Sequence, residues 1–402
     1  MHDSSSCRVC QKYAGVKEFV CPIKAREEGQ IHVMKNVQFK DSFFGESPAP
    51  FIGRYGYPNV NIGMLAPGEE RKNVWQYDAP RHWAKERMQI PSIMNFRSSL
   101  LNARTQGHVK HVEKYEELVQ QVGMSSKPVD VEVELKAKPQ FRLNTYRDLA
   151  PHGPNADIEK ATITENPKIA RKVDNVVSDT DLKASDALTS LFSEKFDENF
   201  LSKLLSVGAT GIKDQRKMVP TRWSITATDD ILGKDFLEQI KDFSYSDHEA
   251  YFGNYLGNYY MVLLFPGSFT YELFEMYQPK STQTLAYATD FEDARGRKGY
   301  AEETAGGYYA ARLPILEKLK KLKRQARVLV IRVITSEYYA PLGVWVCREA
   351  TRSALSEKPI GFSDETYMLK YAKLLIQRKF GFSIDEILKS SKLLGQKTLL
   401  SF

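Results

Sequence analysis

At 402 residues the chain is longer than the roughly 250–300 residues that one hydrophobic core usually serves, so one large or two ordinary domains are expected. Its 42% hydrophobic and 27% charged residues are spread along the length, which excludes a disordered or fibrous protein and leaves an ordinary globular one. Lysine and arginine exceed acidic residues by 57 to 50, a net charge of +7 that is compatible with a polyanionic partner without demanding one. No long uncharged apolar run occurs and Met1 leads into polar sequence, so neither a signal peptide nor a membrane span is expected, and the protein is read as cytoplasmic.

Three of the four cysteines, Cys7, Cys10 and Cys21, open the chain, and a glycine-, proline- and aromatic-rich stretch from Ser47 to Pro67 follows. Arg97 to Val122 carries helical spacing, and Val129 to Leu135 alternates as a half-buried strand does. Prolines, asparagines and charges from about Arg147 to Ala187 read as a connecting arm. Beyond it a helix is expected over Leu188–Leu205, strands over Tyr259–Phe265 and Phe269–Met276, and a helix over Tyr308–Leu322. Val328–Ile334 has the β-branched content of a central strand, and Val344–Cys347 reads as a strand able to pair with it. Ser363 and the pair Ser383/Glu386 are placed to begin two closing helices, with Gly381 ending the first.

Strands and helices are mixed without a repeating βα rhythm, which predicts an α+β fold with a mixed or antiparallel sheet core, surrounding helices and a helical C-terminus. The segments are read as 1–35, zinc-finger-like; 36–150, the first part of the body; 151–187, the arm; 188–394, the second part; and 395–402, a short flexible tail.

Gln396-Lys-Thr-Leu399-Leu-Ser-Phe402 resembles the PCNA-interacting peptide of replication and repair proteins, with one aromatic residue where many have two. A single turn brings Leu399 and Phe402 to one side to fill an apolar pocket, while Gln396 hydrogen-bonds at its rim. The same leucines and phenylalanine would also serve simply to dock the terminus on the protein itself. Cys7-x-x-Cys10 is a knuckle spacing for tetrahedral Zn²⁺ with Cys21 as third ligand, and His2, His32 or Asp3 are candidates for the fourth. Such a closed site would be structural. Cys347, between apolar neighbours, reads as a buried thiol.

Three further stretches are over-specified for plain core: Phe51–Pro58 with Asn59, Asn61 and Gly63; Arg216–Thr226 with Asp229-Asp230; and Glu337–Trp345 with Arg348, Glu349 and Arg352. Together with Gly306–Arg312 they resemble the signature blocks of the archaeal Nre family, and with both termini the resemblance covers most of the chain. It implies a DNA-repair protein with an N-terminal zinc finger and a C-terminal PCNA-binding peptide, and it transfers no catalytic mechanism.

Read from chemistry alone, Arg54, Arg216, Lys217, Arg222, Arg312 and Arg348 suit phosphate contacts, and Tyr55, Tyr57, Trp223 and Tyr308 suit stacking on bases. The competing reading pairs these arginines with Asp229, Asp230, Glu337 or Glu349 inside a core. Asp229-Asp230 as a metal pair is weak, because neighbours in an extended segment point apart. The basic run Lys318–Arg324 fits a solvated helix end as well as a DNA-contacting patch. No P-loop, dinucleotide or zinc-protease pattern occurs. The leading expectation is a clamp-recruited repair factor whose body contacts nucleic acid. The alternatives are an enzyme acting on a nucleotide or nucleic-acid end where the Arg54, Arg222 and Glu337–Arg352 segments converge, and a scaffold that touches no DNA.

Overall fold

A computed structural model describes Ser5, Gln11, Cys21 and residues 40–68, 71–111, 113–139, 152–278 and 285–395. The expectations placed on His2, Asp3, Cys7, Cys10, His32 and the tail Gln396–Phe402 lie outside these residues. The chain divides into two compact units, Met1–Leu232 with Tyr339–Leu342, and Gly233–Tyr338 with Gly343–Phe402. Both are α+β, as the mixed pattern of elements predicts. Among the described residues no helix is long and apolar enough to cross a membrane.

The first unit is built on six strands: β1 Ser42–Ser47, β2 Ala49–Ile52, β3 Asn59–Pro67, β4 Leu100–His108, β5 Val129–Leu135 and β6 Asn155–Ile163. They lie in the order β1-β5-β6-β4-β3-β2 and are antiparallel except for β4 with β6. Alternation sets the inner face: Val60, Ile62, Met64 and Ala66 of β3, Leu101 and Ala103 of β4, and Val129, Val131, Val133 and Leu135 of β5 are buried. The helix Lys114–Met124 packs against β2 and β3, and Glu198–Ser206 packs against β2 and against that helix. Both begin at side-chain caps, a Glu113/Glu116 capping box in the first and Asp197 accepting from the Phe200 N–H at 2.8 Å in the second.

Three sequence expectations change here. The helix read over Arg97–Val122 is the end of a helix Ile90–Ser98, then β4, then the helix from Lys114. Leucines at Leu100 and Leu101 fit a helical face as readily as one edge of a half-polar strand. The stretch read as a connecting arm contains β6, an interior strand, and the helix Arg171–Ser178. β6 escapes notice because among its nine residues only Ala156 and Ile158 are buried. The single helix over Leu188–Leu205 is two, Ala184–Ser193 and Glu198–Ser206, broken where Lys195 takes a φ of 71° and Asp197 starts afresh.

The second unit carries β7 Ser244–Tyr245, β8 His248–Tyr255, β9 Asn258–Phe265, β10 Thr270–Tyr277, β11 Tyr287–Glu292, β12 Arg324–Gln325, β13 Arg327–Ile334 and β14 Ile360–Phe362. Six of them form a sheet in the order β11-β10-β13-β9-β8-β14, with β10 and β13 parallel; β7 and β12 pair separately. β13 is buried along its whole length, the central strand that its β-branched run predicts. On one face Leu329, Ile331 and Val333 join Met261, Leu263, Phe274 and Met276 against Met368, Ala372, Ile376 and Phe380 of the helix Glu365–Phe380. Each fully buried Leu, Ile, Val, Phe or Met side chain among them contributes about 1.5–3 kcal/mol. Across the sheet the helix Trp345–Ser356 packs on β8 and β9 and beside the helix Ala305–Leu322.

Val344–Cys347 is therefore not a strand. Gly343, at a φ of 113°, turns the chain so that Trp345 begins a helix whose first turn, with Val346 and Cys347, is buried. At the C-terminal end Asp364, rather than Ser363, caps Glu365–Phe380, and Gly381 ends it in the left-handed region at a φ of 81°. Ser383 bonds Asp385, the first residue of the next helix, Asp385–Ser390. The last turn, Lys392–Gly395, is fixed from the sheet: the Glu272 carboxylate of β10 accepts from Ser391 Oγ at 2.5 Å and from the Lys392 and Leu393 N–H groups at 3.0 Å. Arg327 of β13 donates to the Leu393 carbonyl at 2.8 Å.

Candidate nucleic-acid interface

The loop Gly53–Pro58 joins β2 to β3 and is drawn tight by Gly53 N–H to Asn61 O at 2.7 Å and Asn59 N–H to Gly56 O at 2.9 Å. Gly56 sits at a φ of 82°, where a side chain would be strained, and its added Cβ would also lie 2.7 Å from the Asn59 carbonyl. The edge of β2 is closed by Thr221, whose hydroxyl accepts the Ile52 N–H at 2.9 Å. That contact sets the first turn of the helix Thr221–Ile240 beside the loop and brings Tyr57 and Trp223 together, ring centroids 5.3 Å apart and tilted by 52°.

Tyr55, Tyr57 and Trp223 are 74%, 39% and 45% exposed, far more than aromatic rings in a core. Arg54 and Arg222 are exposed beside them. The Arg54 guanidinium lies 4.8 Å over the Tyr55 ring and donates to its hydroxyl at 3.0 Å. Neither arginine has a carboxylate partner among the described residues. Two solvated cations and three open rings on one side of the unit offer what a polynucleotide needs, charge for phosphate and flat faces for bases.

The other first-unit candidates divide. Arg216 is spent on the backbone, donating to Gly211 O at 2.7 Å and Asp179 O at 2.9 Å, and so shapes its own loop. Lys217 is exposed. Asp229 and Asp230 lie on the helix Thr221–Ile240 rather than in an extended segment, with Asp229 buried. Among the described residues no group of three or more His, Cys, Asp or Glu side chains is placed to hold a metal. Cys21 is buried and not in a disulfide.

In the second unit the candidate residues are core. Tyr308, Arg312 and Arg348 are at most 3% exposed, which removes them from any surface a nucleic acid touches. Arg312 pairs with Glu292 at 2.6 Å, so the ion-pair reading holds for it, with a carboxylate the sequence did not nominate. Tyr308 packs edge-on against Tyr271 at 4.8 Å, and burial pushes both hydroxyls far above the ordinary tyrosine range. Arg352 is held by both oxygens of Glu317 and by Glu349 at 2.6 Å. The run Lys318–Arg324 is largely a solvated helix end: Lys318 donates to Leu355 O, Leu319 is buried, and Leu322 is 38% exposed.

Sequence reasoning missed the carboxylates that organise this unit. Glu275 meets Arg332 at 2.5 Å on the neighbouring strand. Asp290 accepts from the N–H groups of Glu302, Glu303 and Thr304, from the Thr304 hydroxyl and from Arg297. Burial pushes its pKa up, but the Thr304 and Glu302 hydrogen bonds and the Arg297 charge outweigh this and hold it below the ordinary 3.8. A charged residue inside an otherwise apolar strand, as at Glu275 and Arg332, was the available signal.

The family model described as Archaeal Nre, N-terminal matches residues 16–284, and Archaeal Nre, C-terminal matches 292–402. The chain is 37% identical over 341 residues to DNA repair protein NreA of Haloferax volcanii, covering 82% of this chain and 81% of the relative. It is 35% identical to DNA repair protein NreA of Archaeoglobus fulgidus, covering 94% and 95%, and 31% identical to DNA repair protein NreB of the same organism, covering 98% and 99%. No solved structure matches. The chain belongs to the archaeal Nre family.

Proposed function

We propose that this chain is a DNA-repair factor that the PCNA sliding clamp recruits through Gln396, Leu399 and Phe402, and whose first unit contacts nucleic acid through Arg54, Tyr55, Tyr57, Arg222 and Trp223. The repair role rests on the relatives named above. The nucleic-acid contact rests on one observation, two exposed arginines without a described carboxylate partner beside three open aromatic rings. A short tether to a ring encircling DNA raises the local concentration of the body toward the millimolar range, so modest intrinsic affinity suffices. A structural Zn²⁺ on Cys7, Cys10 and Cys21 belongs to the same reading, and loss of bound zinc from Cys7→Ser protein measures it.

Calorimetry against the clamp, with the intact chain and one lacking Gln396–Phe402, tests recruitment. Binding that vanishes with the tail supports it; an intact chain that does not bind overturns it. Filter binding to DNA across a salt series tests the contact. The double substitution Arg54→Ala/Arg222→Ala is expected to lower the slope of log K against log salt by about 1.5–2, since two phosphate contacts disappear. An unchanged slope removes these arginines from the interface.

A further inference from the structure

The aromatic loop adjoins a sheet face that it does not explain. Opposite the apolar face of the first unit, the strand register sets Phe51 of β2, Gly63 of β3, Arg104 of β4 and Asp157 of β6 in one row. The neighbouring rows pair Asn61 with Gln106 and Leu65 with Asn102, and Asn102 with Asn155. Phe51 is 36% exposed, and Gln106 and Asn155 are exposed. Toward β1 and β5 the same face turns acidic, with Glu46 opposite Asp130 and with Glu132 and Glu134. With Asp157 of β6 beside Arg104, the acidic groups repel a polyanion from the β1, β5 and β6 half and leave it the β2, β3 and β4 half, which adjoins Arg54.

The middle of the admitted half is occupied by the Asn102 side chain, which lies across Gly63. Gly63 stands between Phe51 and Arg104, and an added Cβ there would run into Asn102 Oδ1 and lie 3.1 Å from Arg104 Cβ. Asn102 is 6% exposed, its amide nitrogen donates to Asn155, and its Oδ1 has no hydrogen-bond partner among the described residues. Arg104 Nε likewise has none among them. A lone acceptor and a lone donor side by side are costly to leave unmatched. Every nucleobase carries a donor and an acceptor next to each other on its pairing edge, an edge that a duplex hides and a single strand leaves free. Both atoms are buried in the free protein, so a base edge reaches them by displacing what covers them.

We propose that the outward face of β2, β3 and β4 is a platform for an unpaired nucleic-acid strand. Bases lie against Phe51, Asn102 and Arg104 meet their pairing edges, and the phosphates run toward Arg54 and Arg222. This rests on the nucleic-acid reading above and adds the class of strand and the residues that hold it. Because the donor–acceptor pair suits any base edge, the platform is sequence-tolerant.

The test is fluorescence anisotropy of the full chain, at low salt, with a labelled thymidine oligomer, a uridine oligomer of equal length and a duplex of that length. Either oligomer is expected to bind at least about tenfold more tightly than the duplex, and their ratio tells whether the strand is DNA or RNA. Phe51→Ala and Arg104→Gln are each expected to weaken single-strand binding about five- to tenfold, with duplex binding little changed. Phe51 is at the surface, so its variant keeps the fold, and an unaltered melting temperature verifies this. Equal affinity for duplex and single strand overturns the platform. So does single-strand binding that resists Phe51→Ala and Arg104→Gln but falls with Arg54→Ala/Arg222→Ala; the broader nucleic-acid reading then survives. Absence of binding to all three probes overturns both.

Discussion

The two six-stranded sheets share a design, one parallel pair in an otherwise antiparallel array, yet they use their charged residues in opposite ways. The second sheet is covered on both faces, and its buried charges meet opposite charges or backbone groups: Arg312 with Glu292, Arg332 with Glu275, and Glu272 with the Lys392 N–H. The first sheet buries one face and leaves polar side chains on the other, where Arg104 has no ion pair among the described residues. Residue type alone does not tell an arginine that holds a core together from one that meets a ligand. Which face of which sheet it occupies does.

That contrast is breakable. The largest effect is expected for Arg312→Ala, which strands the Glu292 carboxylate at 3% exposure: a loss of about 3–5 kcal/mol, followed by urea unfolding with amide exchange in β10 and β11. Arg54→Ala, at the surface of the first unit, should stay within about 0.5 kcal/mol. Comparable losses in both would erase the distinction.

Asp290→Ala comes next, at about 2–3 kcal/mol, because three N–H groups and a hydroxyl lose their acceptor. The folded pKa of Asp290 is depressed, so its contribution is complete above the ordinary 3.8 and disappears as pH falls through the lower folded value. The gap between wild type and variant should therefore close only in strong acid. A gap that closes near pH 6 would assign the effect to another group.

The smallest effect has the opposite sign. Glu46 faces Asp130 directly across β1 and β5, and burial, then that like charge, pushes its pKa above 4.5. A raised carboxylate costs stability once it ionises, a cost absent below 4.5 and complete above the folded value. Glu46→Gln should raise stability by about 0.5 kcal/mol at neutral pH and change nothing at pH 3. Destabilisation at neutral pH would mean that Glu46 has a partner worth more than the repulsion.

What could be read from the sequence follows the same division. β13 and β9 are legible as strands because burial on both faces makes them short, largely apolar runs, broken in β13 only by arginine. β4 is not, since its outward Asn102, Arg104 and Gln106 interrupt the apolar signal and true helices flank it. β6 is hidden for the same reason. Val344-Trp-Val-Cys347 has strand composition, and only the turn at Gly343 makes it a helix start. Of the candidate site, the Arg54 loop and Arg222-Trp223 were visible as clusters of arginine and aromatics among glycines. Tyr308, Arg312 and Arg348 had the same composition and proved to be core, because their burial comes from long-range packing on β9, β10 and β11. Phe51 and Arg104 become neighbours only through the register of β2, β3 and β4, which no local pattern encodes.

The anchorage of Lys392–Gly395 has a mechanical consequence. Glu272 and Arg327 make the chain fast, just before Gln396, to β10 and β13, the parallel pair in the interior of the second sheet. Seven residues of chain span at most about 25 Å, so a partner held at Phe402, as proposed, would come that close to this mooring. A pull on them enters the sheet at its middle, against two strands with neighbours on both sides, rather than at a rim that could be peeled away one hydrogen bond at a time.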